Sequence, residues 1–304
     1  MRTRIITVTL NAAVDKTYVN IQLQLRKVNR IDQVLTCAGG KGINVARVLA
    51  TLGAEVMTMG FIGGHNGEFI KEDLTKRGIE TAFTTVEGES RLCLSFLGSG
   101  QATEVLEPGP VVLEEELIRL EHRLHGEAKK ADLVVLSGSL PRGLDAAVYA
   151  RLIEVCRPTR VILDTSGEAL RAALPAKPFL LKPNWTELEQ LAGSTLSSRV
   201  EVQTIADRIA ALNGINILVS LGRDGAWLCS EEEVNFPAYP VTVINPVGCG
   251  DALVAGTAFG IVNGKSLRDA VQLGMACAAE NARHEQAGQV DRQGIEELLG
   301  FTIG

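Results

Sequence analysis

Short apolar runs at residues 56–61, 133–136, 161–163, 179–181 and 217–221 lack the polar alternation of a half-exposed strand. Runs of that length without alternation belong to strands buried on both faces. Longer stretches with helical periodicity separate them, at residues 68–77, 114–130, 146–156, 185–191 and 202–212. The alternation predicts an α/β fold, with a parallel-rich central sheet covered by helices on both faces. From Asp251 to about Leu299 the chain reads as mostly helical.

Polar groups follow the strand runs: Ser137-Gly138-Ser139, Asp164-Thr165, Lys182-Pro183-Asn184 and Ser220-Leu221-Gly222. In an open parallel sheet the carboxyl ends of the strands share one rim, where ligands bind, so these groups are expected to converge on one site. Segments 17–36 and 80–106 break the rhythm with period-two patterns, notably Arg91-Leu92-Cys93-Leu94-Ser95-Phe96-Leu97 followed by a Gly98-Ser99-Gly100 turn. They predict a small β-sheet inserted into the main fold in two pieces, about residues 11–36 and 80–106. Such a sheet serves as a lid over a ligand, as a homodimer surface, or as both.

The 304 residues carry a net charge of −6, which argues against general nucleic-acid affinity. Local cations must therefore handle any anionic substrate. Apolar runs stay well short of a membrane span, and Met1-Arg2-Thr3-Arg4 leads straight into the strand-like Ile5-Ile6-Thr7-Val8-Thr9-Leu10, so the expected location is cytoplasmic. The cysteines, at 37, 93, 156, 229, 249 and 277, show no zinc-type spacing and are expected as reduced thiols, mostly buried. His122 and His125 read as a solvated helix face and receive no role.

Near the C-terminus, Asn245-Pro246-Val247-Gly248-Cys249-Gly250-Asp251 opens a helix. Gly248 and Gly250 permit a tight turn with free N–H groups, and the positive end of the helix dipole attracts an anion. Asp251 there is either a helix cap or a base facing a phosphoryl group. A second glycine-rich segment, Ala38-Gly39-Gly40-Lys41-Gly42-Ile43-Asn44-Val45-Ala46-Arg47, leads into a helix with Val45, Val48, Leu49 and Leu52 at helical spacing. It lacks the Gly-x4-Gly-Lys-Ser/Thr pattern of a phosphate-binding P-loop.

Together, Gly-Gly-Lys-Gly-x-Asn and Gly-Cys-Gly-Asp resemble the two signatures of the ribokinase-like (PfkB) sugar kinases. Further motifs spread along nearly the whole chain resemble the 1-phosphofructokinase and tagatose-6-phosphate kinase branch: Asn11-Ala12-Ala13-Val14-Asp15, Val28-Asn29-Arg30, Ser137-Gly138-Ser139-Leu140-Pro141, Asp164-Thr165-Ser166-Gly167-Glu168-Ala169-Leu170, Lys182-Pro183-Asn184-Trp185-Thr186-Glu187 and Ser220-Leu221-Gly222-Arg223-Asp224-Gly225. The resemblance implies one ribokinase-like kinase domain over residues 1–304, with the small sheet as its lid. It further implies ATP- and Mg²⁺-dependent phosphorylation of a ketohexose phosphate, foremost fructose 1-phosphate at O6. Tagatose 6-phosphate or fructose 6-phosphate, phosphorylated at O1, is the close alternative.

The resemblance also assigns roles. Asp251 becomes the base, with Gly248, Cys249 and Gly250 as an anion hole. Asn184-x-x-Glu187 would organise Mg²⁺ through water, although Asn184 and Glu187 equally match a helix capping box. Lys182 would add charge at the ATP phosphates. The loop Ser220, Leu221, Gly222, Arg223, Asp224, Gly225 would underlie the nucleotide, its bland alternative being a turn between strands. Val243, Ala276, Ala279 and Asn281 would line the adenine pocket. Asn11, Asp15, Gly39, Gly40, Asn44 and Ser139 fall to the sugar, and Lys41, Arg91 and Arg30 to its existing phosphate. Taken singly, Arg91 is also an ordinary strand cation and Asp15 a turn residue.

Three positions depart from the branch. Ala12-Ala13 replaces Pro-Ala, which removes stiffness from the turn. Cys93 stands where an Asn is common, so a hydrogen bond to the sugar is lost. Cys249 replaces the central Ala of the anion loop, placing a thiol open to oxidation at a helix N-terminus. A catalytically silent sugar-phosphate sensor is the alternative from another class, opposed by retention of Asp251, Lys182, Asn184 and Glu187. A nucleoside or vitamin kinase of the same fold is opposed by Lys41 and Arg91.

Overall fold

The computed structural model describes residues 3–98 and 101–303. The chain runs through β1 (Arg4–Thr9), β2 (Ala13–Val19), β3 (Val34–Gly39), α1 (Lys41–Leu52), β4 (Glu55–Ile62), α2 (Gly64–Lys76), β5 (Glu80–Thr81), β6 (Thr84–Thr85), β7 (Arg91–Gly98) and β8 (Gln101–Leu106). There follow α3 (Glu114–Ala128), β9 (Leu133–Ser137), α4 (Val148–Val155), β10 (Val161–Asp164), α5 (Gly167–Ala173), β11 (Leu180–Leu181), α6 (Trp185–Ala192), α7 (Arg199–Asn213) and β12 (Asn216–Ser220). The last elements are β13 (Ala226–Cys229), β14 (Glu233–Phe236), α8 (Cys249–Val262), α9 (Leu267–Ala282) and α10 (Arg292–Leu299).

The main sheet has the order β14-β13-β12-β11-β10-β9-β1-β4-β5, with β6 also on β4. From β5 to β12 every pairing is parallel, and β13 and β14 add antiparallel strands at one edge. Successive side chains on a strand face opposite ways. Accordingly Ile5, Val135, Ile162 and Leu218 join a core with residues of α1, α8 and α9, whereas Ile6, Val134, Leu163 and Val219 join a second core with α3, α4 and α7. This is the doubly covered sheet that the apolar runs predict. Strand β1 lies between β4 and β9, so the chain reverses its direction of travel across the sheet there. A crevice forms beyond such a reversal.

The second sheet has four strands, in the order β3-β2-β7-β8. The lid boundaries need correction at one end: β5 and β6 pair with β4 in the main fold, so lid pairing begins at Arg91 rather than at residue 80. Two-residue strands at a sheet edge leave no alternation long enough to assign. The turn expected at Gly98-Ser99-Gly100 lies partly outside the described residues.

Helix α8 is buried without a break from Asp251 to Ile261. An all-round apolar helix must be covered on every side, and α9 covers it at very short range. A Cβ on Gly256 would lie 2.7 Å from Gly274 Cα and 2.7 Å from Cys277 Sγ. Gly256→Val should therefore cost about 1–3 kcal/mol through overpacking. Urea unfolding checks this, and an unchanged midpoint would show that α9 yields freely.

Candidate active site

A cavity of about 610 Å³ opens where the rim of the main sheet meets the small sheet. The strand ends supply Thr9, Gly138, Ser139, Asp164, Lys182 and Ser220, and the small sheet supplies Asp15, Arg91, Cys93 and Glu104. The polar groups that follow the buried strands thus converge as the rim rule requires.

Gly248 takes φ 84°, a left-handed conformation that a residue with Cβ pays for, and caps α8. The first-turn N–H groups of α8, including those of Gly250 and Asp251, have no acceptor within the helix and face the cavity end. Asn245 shapes the approach: its Oδ1 accepts from Val247 N at 3.0 Å and its Nδ2 donates to Glu285 O at 2.7 Å. Asp251 is 5% exposed. Asn44 Nδ2 donates to Asp251 Oδ2 at 2.9 Å, joining the two glycine-rich motifs across 207 residues. Burial raises the Asp251 carboxyl to about 7 against the opposing pull of Lys41, Asn44 and Lys182, with Asp164 adding to the rise. A carboxylate with that value accepts a proton effectively near neutral pH.

Asp164, fully buried at the end of β10, receives Lys41 Nζ at 3.1 Å and Lys182 Nζ at 3.3 Å. Burial opposes its charge, yet the two lysines hold its carboxyl below the ordinary range. Asp164 Oδ2 remains buried without a hydrogen-bond partner. The sequence flagged Asp164 as a rim residue and as part of a family motif, without a role. A carboxylate ending a fully apolar strand run was the available signal.

Asn184 and Glu187 form the capping box: Asn184 N donates to Glu187 Oε2 at 2.8 Å and Glu187 N donates to Asn184 Oδ1 at 2.8 Å. The box engages one carboxylate oxygen, while Glu187 Oε1 lies 3.9 Å from Lys41 Nζ. One carboxylate oxygen of Glu187 is therefore left outside the cap.

Lys41 is not where the phosphate pairing with Arg91 would put it. It points to Asp164 and Glu187, among the groups around Asp251. Burial opposes its charge, but Asp164, Asp251 and Glu187 together hold it above the ordinary lysine value. Arg91 does line the cavity, with Nε donating to Asn11 O at 3.1 Å and Nη1 to Glu107 O at 3.2 Å. Arg30 is exposed in the connection between β2 and β3 and does not reach the cavity.

Beside Arg91, Asn11 Nδ2 approaches Ser139 Oγ at 3.4 Å, and Gly40 lines the cavity. Gly39 lies behind it and makes room for Asp15: a Cβ there would sit 1.9 Å from the Asp15 carboxyl carbon. Burial raises the Asp15 carboxyl to about 6. Cys93 faces Asp15 and is pushed up to about 12, chiefly by burial, so it stays a neutral thiol. Glu104, on the same face of the small sheet, had no signal in the sequence beyond its strand parity.

On the opposite side, Ser220, Gly222 and Gly225 line the cavity, whereas Leu221 is buried in the core and Arg223 and Asp224 are exposed outside it. The loop is also a strand-to-strand turn, joining β12 to the antiparallel β13. Gly225, at φ 91°, is required because a Cβ would meet Phe236 O at 1.9 Å. The apolar wall comes from Leu253, Met275 and Ala278; Val243, Ala276 and Ala279 do not line the cavity. From Ala270 to Ala282 helix α9 is buried at every position but Gln272 and Ala278, so no polar stripe reveals the phase of this part. Asn281 is also completely buried, does not line the cavity and holds loops: Nδ2 donates to Val247 O at 2.9 Å and Oδ1 accepts from Gly288 N at 2.8 Å. Burial pushes the Cys249 thiol up to about 11, so the group expected to be open to oxidation is held as a neutral thiol.

Solved structures share this architecture. Phosphofructokinase-2 of Escherichia coli in complex with fructose 6-phosphate is 27% identical, with 98% of each chain covered and a TM-score of 0.88. A Staphylococcus aureus protein provisionally named a phosphofructokinase is 31% identical over 96% of this chain and 95% of its own, with a TM-score of 0.80. A Thermotoga maritima protein provisionally named a 1-phosphofructokinase is 26% identical over 98% and 97%, with a TM-score of 0.85. The model of the pfkB family carbohydrate kinases matches residues 8–292, and the chain belongs to that family.

Proposed function

We propose that this sugar kinase transfers the terminal phosphoryl group of ATP, with Mg²⁺, to a ketohexose phosphate, and that the acceptor is fructose 1-phosphate, phosphorylated at O6. The observation that carries the chemistry is Asp251, raised to about 7 at the N-terminus of α8 and fixed by Asn44. Asp251 Oδ1 takes the proton of the attacking hydroxyl, while Asn44 holds Oδ2. The N-terminus of α8, Lys41 and Lys182 face the transferring phosphoryl group and hold its negative charge.

The residues fit both cosubstrates. Asp164 Oδ2 is an unpartnered buried oxygen, and Glu187 Oε1 is free of the capping box. Carboxylate oxygens of this kind suit a hard cation that keeps several waters. Mg²⁺ would neutralise charge on the phosphates. Gly222 and Gly225 offer close backbone approach, and Leu253, Met275 and Ala278 offer an apolar wall to the base.

Acceptor choice rests on the resemblance to the 1-phosphofructokinase branch and on Arg91, whose Nη2 is left for a phosphate. Fructose 6-phosphate is the second acceptor to weigh, because the E. coli phosphofructokinase-2 structure with that sugar is so similar. Pairing of two copies through the lid is supported by the outer face of the small sheet. There Tyr18 stacks on Phe96 with ring centroids 5.0 Å apart, and Val34 and Val105 are exposed.

A coupled assay of ATP turnover across fructose 1-phosphate, fructose 6-phosphate, tagatose 6-phosphate and free fructose is expected to favour fructose 1-phosphate. Preference for another sugar phosphate moves the assignment to that acceptor, and turnover of none removes it. Arg91→Ala should lower kcat/KM for the best sugar phosphate roughly ten- to a hundredfold while sparing free fructose. Equal losses on both would assign Arg91 to bracing Asn11 and Glu107.

Asp251→Asn preserves shape and removes the proton acceptor, so kcat should fall roughly 10²- to 10⁴-fold with ATP binding retained. In the wild type, kcat/KM should rise with pH through about 7 as Asp251 ionises. A folded variant keeping more than about a tenth of kcat would reduce Asp251 to a structural residue.

Glu187→Gln can still complete the capping box, so stability should hardly change while the Mg²⁺ concentration for half-maximal rate increases. An unaltered Mg²⁺ profile would leave Glu187 with the cap alone.

A further inference from the structure

Arg47 lies in the middle of α1 at 4% exposure. A buried cation is costly unless its donors are satisfied. Among the described residues its hydrogen-bond partners include no carboxylate. Nη1 donates to Ala287 O at 2.8 Å and to Cys37 Sγ at 3.2 Å, and Nη2 donates to Gln286 Oε1 at 2.8 Å. Nε is buried without a partner.

Those partners belong to two different segments of the cavity lining. Cys37, in β3, pairs directly with Asp15 in β2. Gln286 and Ala287, in the loop after α9, line the cavity and press on the anion loop. A Cβ on Gly248 would fall 2.9 Å from Gly288 N and 3.0 Å from Ala287 Cβ. Loop 286–288 therefore has little freedom to move without disturbing Gly248.

We propose that Arg47 is a positioning residue that ties the acceptor wall of the cavity, at Cys37 and Asp15, to the loop that shapes the anion hole. One guanidinium then serves both substrate halves, by hydrogen bonds on one side and by its charge on the other. The acceptor half of this rests on the assignment of Asp15 to the sugar; the loop half does not.

The electrostatics agree with the geometry. Burial is the main influence on Asp15, raising it to about 6, and Arg47 is the strongest of the groups that pull it down. Arg91 of β7 and the Gly40 N–H pull the same way, and Glu104 of β8 pushes it up. The neighbouring thiols are neutral, Cys37 near 11 and Cys93 near 12. Loss of the Arg47 charge therefore raises Asp15 further, so that it ionises only at higher pH.

The test compares full-length wild type with Arg47→Met and Arg47→Lys, each checked for cooperative thermal unfolding. Two quantities are read without any acceptor present: the titration of the Asp15 carboxyl by carbon-13 NMR, assigned through its absence in Asp15→Asn, and the ATP dissociation constant by calorimetry. Arg47→Met should shift the Asp15 titration upward by about half a unit or more and weaken ATP roughly tenfold or more. Arg47→Lys keeps the charge but cannot span the same acceptors, so the titration should return toward wild type while ATP binding stays weak. A folded Arg47→Met with either quantity unchanged overturns the proposal. If Arg47→Met does not fold, Arg47→Lys decides: wild-type ATP affinity overturns it, and weakened affinity with an unmoved Asp15 titration sustains it. Failure of the acceptor assignment registers elsewhere, as wild type that turns over no ketohexose phosphate.

Discussion

Helix α8 is apolar on every side, so it must lie between the sheet and other helices, and its direction is then set by the packing of α1 and α9 against it. The close approach at Gly256 and Gly274 leaves little room for sliding. Its N-terminus consequently stops at the rim of the sheet, with Asp251 in the first turn and the unsatisfied N–H groups of that turn beside it. Asn44 can reach Asp251 because α1 also starts at this rim. Asp251, the amide that holds it and the free N–H groups of the helix start are thus products of one packing decision.

Charge in the cavity is arranged by burial rather than by exposed ion pairs. Asp251 and Asp15 are desolvated and their carboxyls rise, whereas Asp164 falls because two lysines converge on it. Carboxylates of the same type therefore divide into ones whose proton affinity burial raises and one whose proton affinity its lysines lower. The lysines held by Asp164 line the same cavity. The small sheet brings a second set of charges, Arg91 with Asp15 and Glu104, to the same cavity.

Much of the fold was legible along the chain, because a strand covered on both faces must be apolar at consecutive positions. Ile5 and Ile6, or Val134 and Val135, enter different cores. The strand ends could be read as well, and with them the rim groups Asp164, Lys182 and Ser220. The phase of α9 could not: with nearly every position buried, the pattern does not distinguish Met275 and Ala278 from Ala276 and Ala279. The two-residue strands β5 and β6 were equally opaque, since their pairing depends on β4 and not on any local preference.

By itself, then, the sequence determined the doubly covered parallel sheet, the two glycine-rich helix starts and the inserted small sheet, since burial periodicity and backbone conformation are local constraints. Tertiary structure alone decided which charges share a partner. Lys41 belongs with Asp164 rather than Arg91, Asn281 braces loops, Arg30 stays in solvent and Arg47 joins β3 to the loop after α9. Such choices depend on distances between side chains far apart in the chain, and those distances exist only once the helices have packed on the sheet.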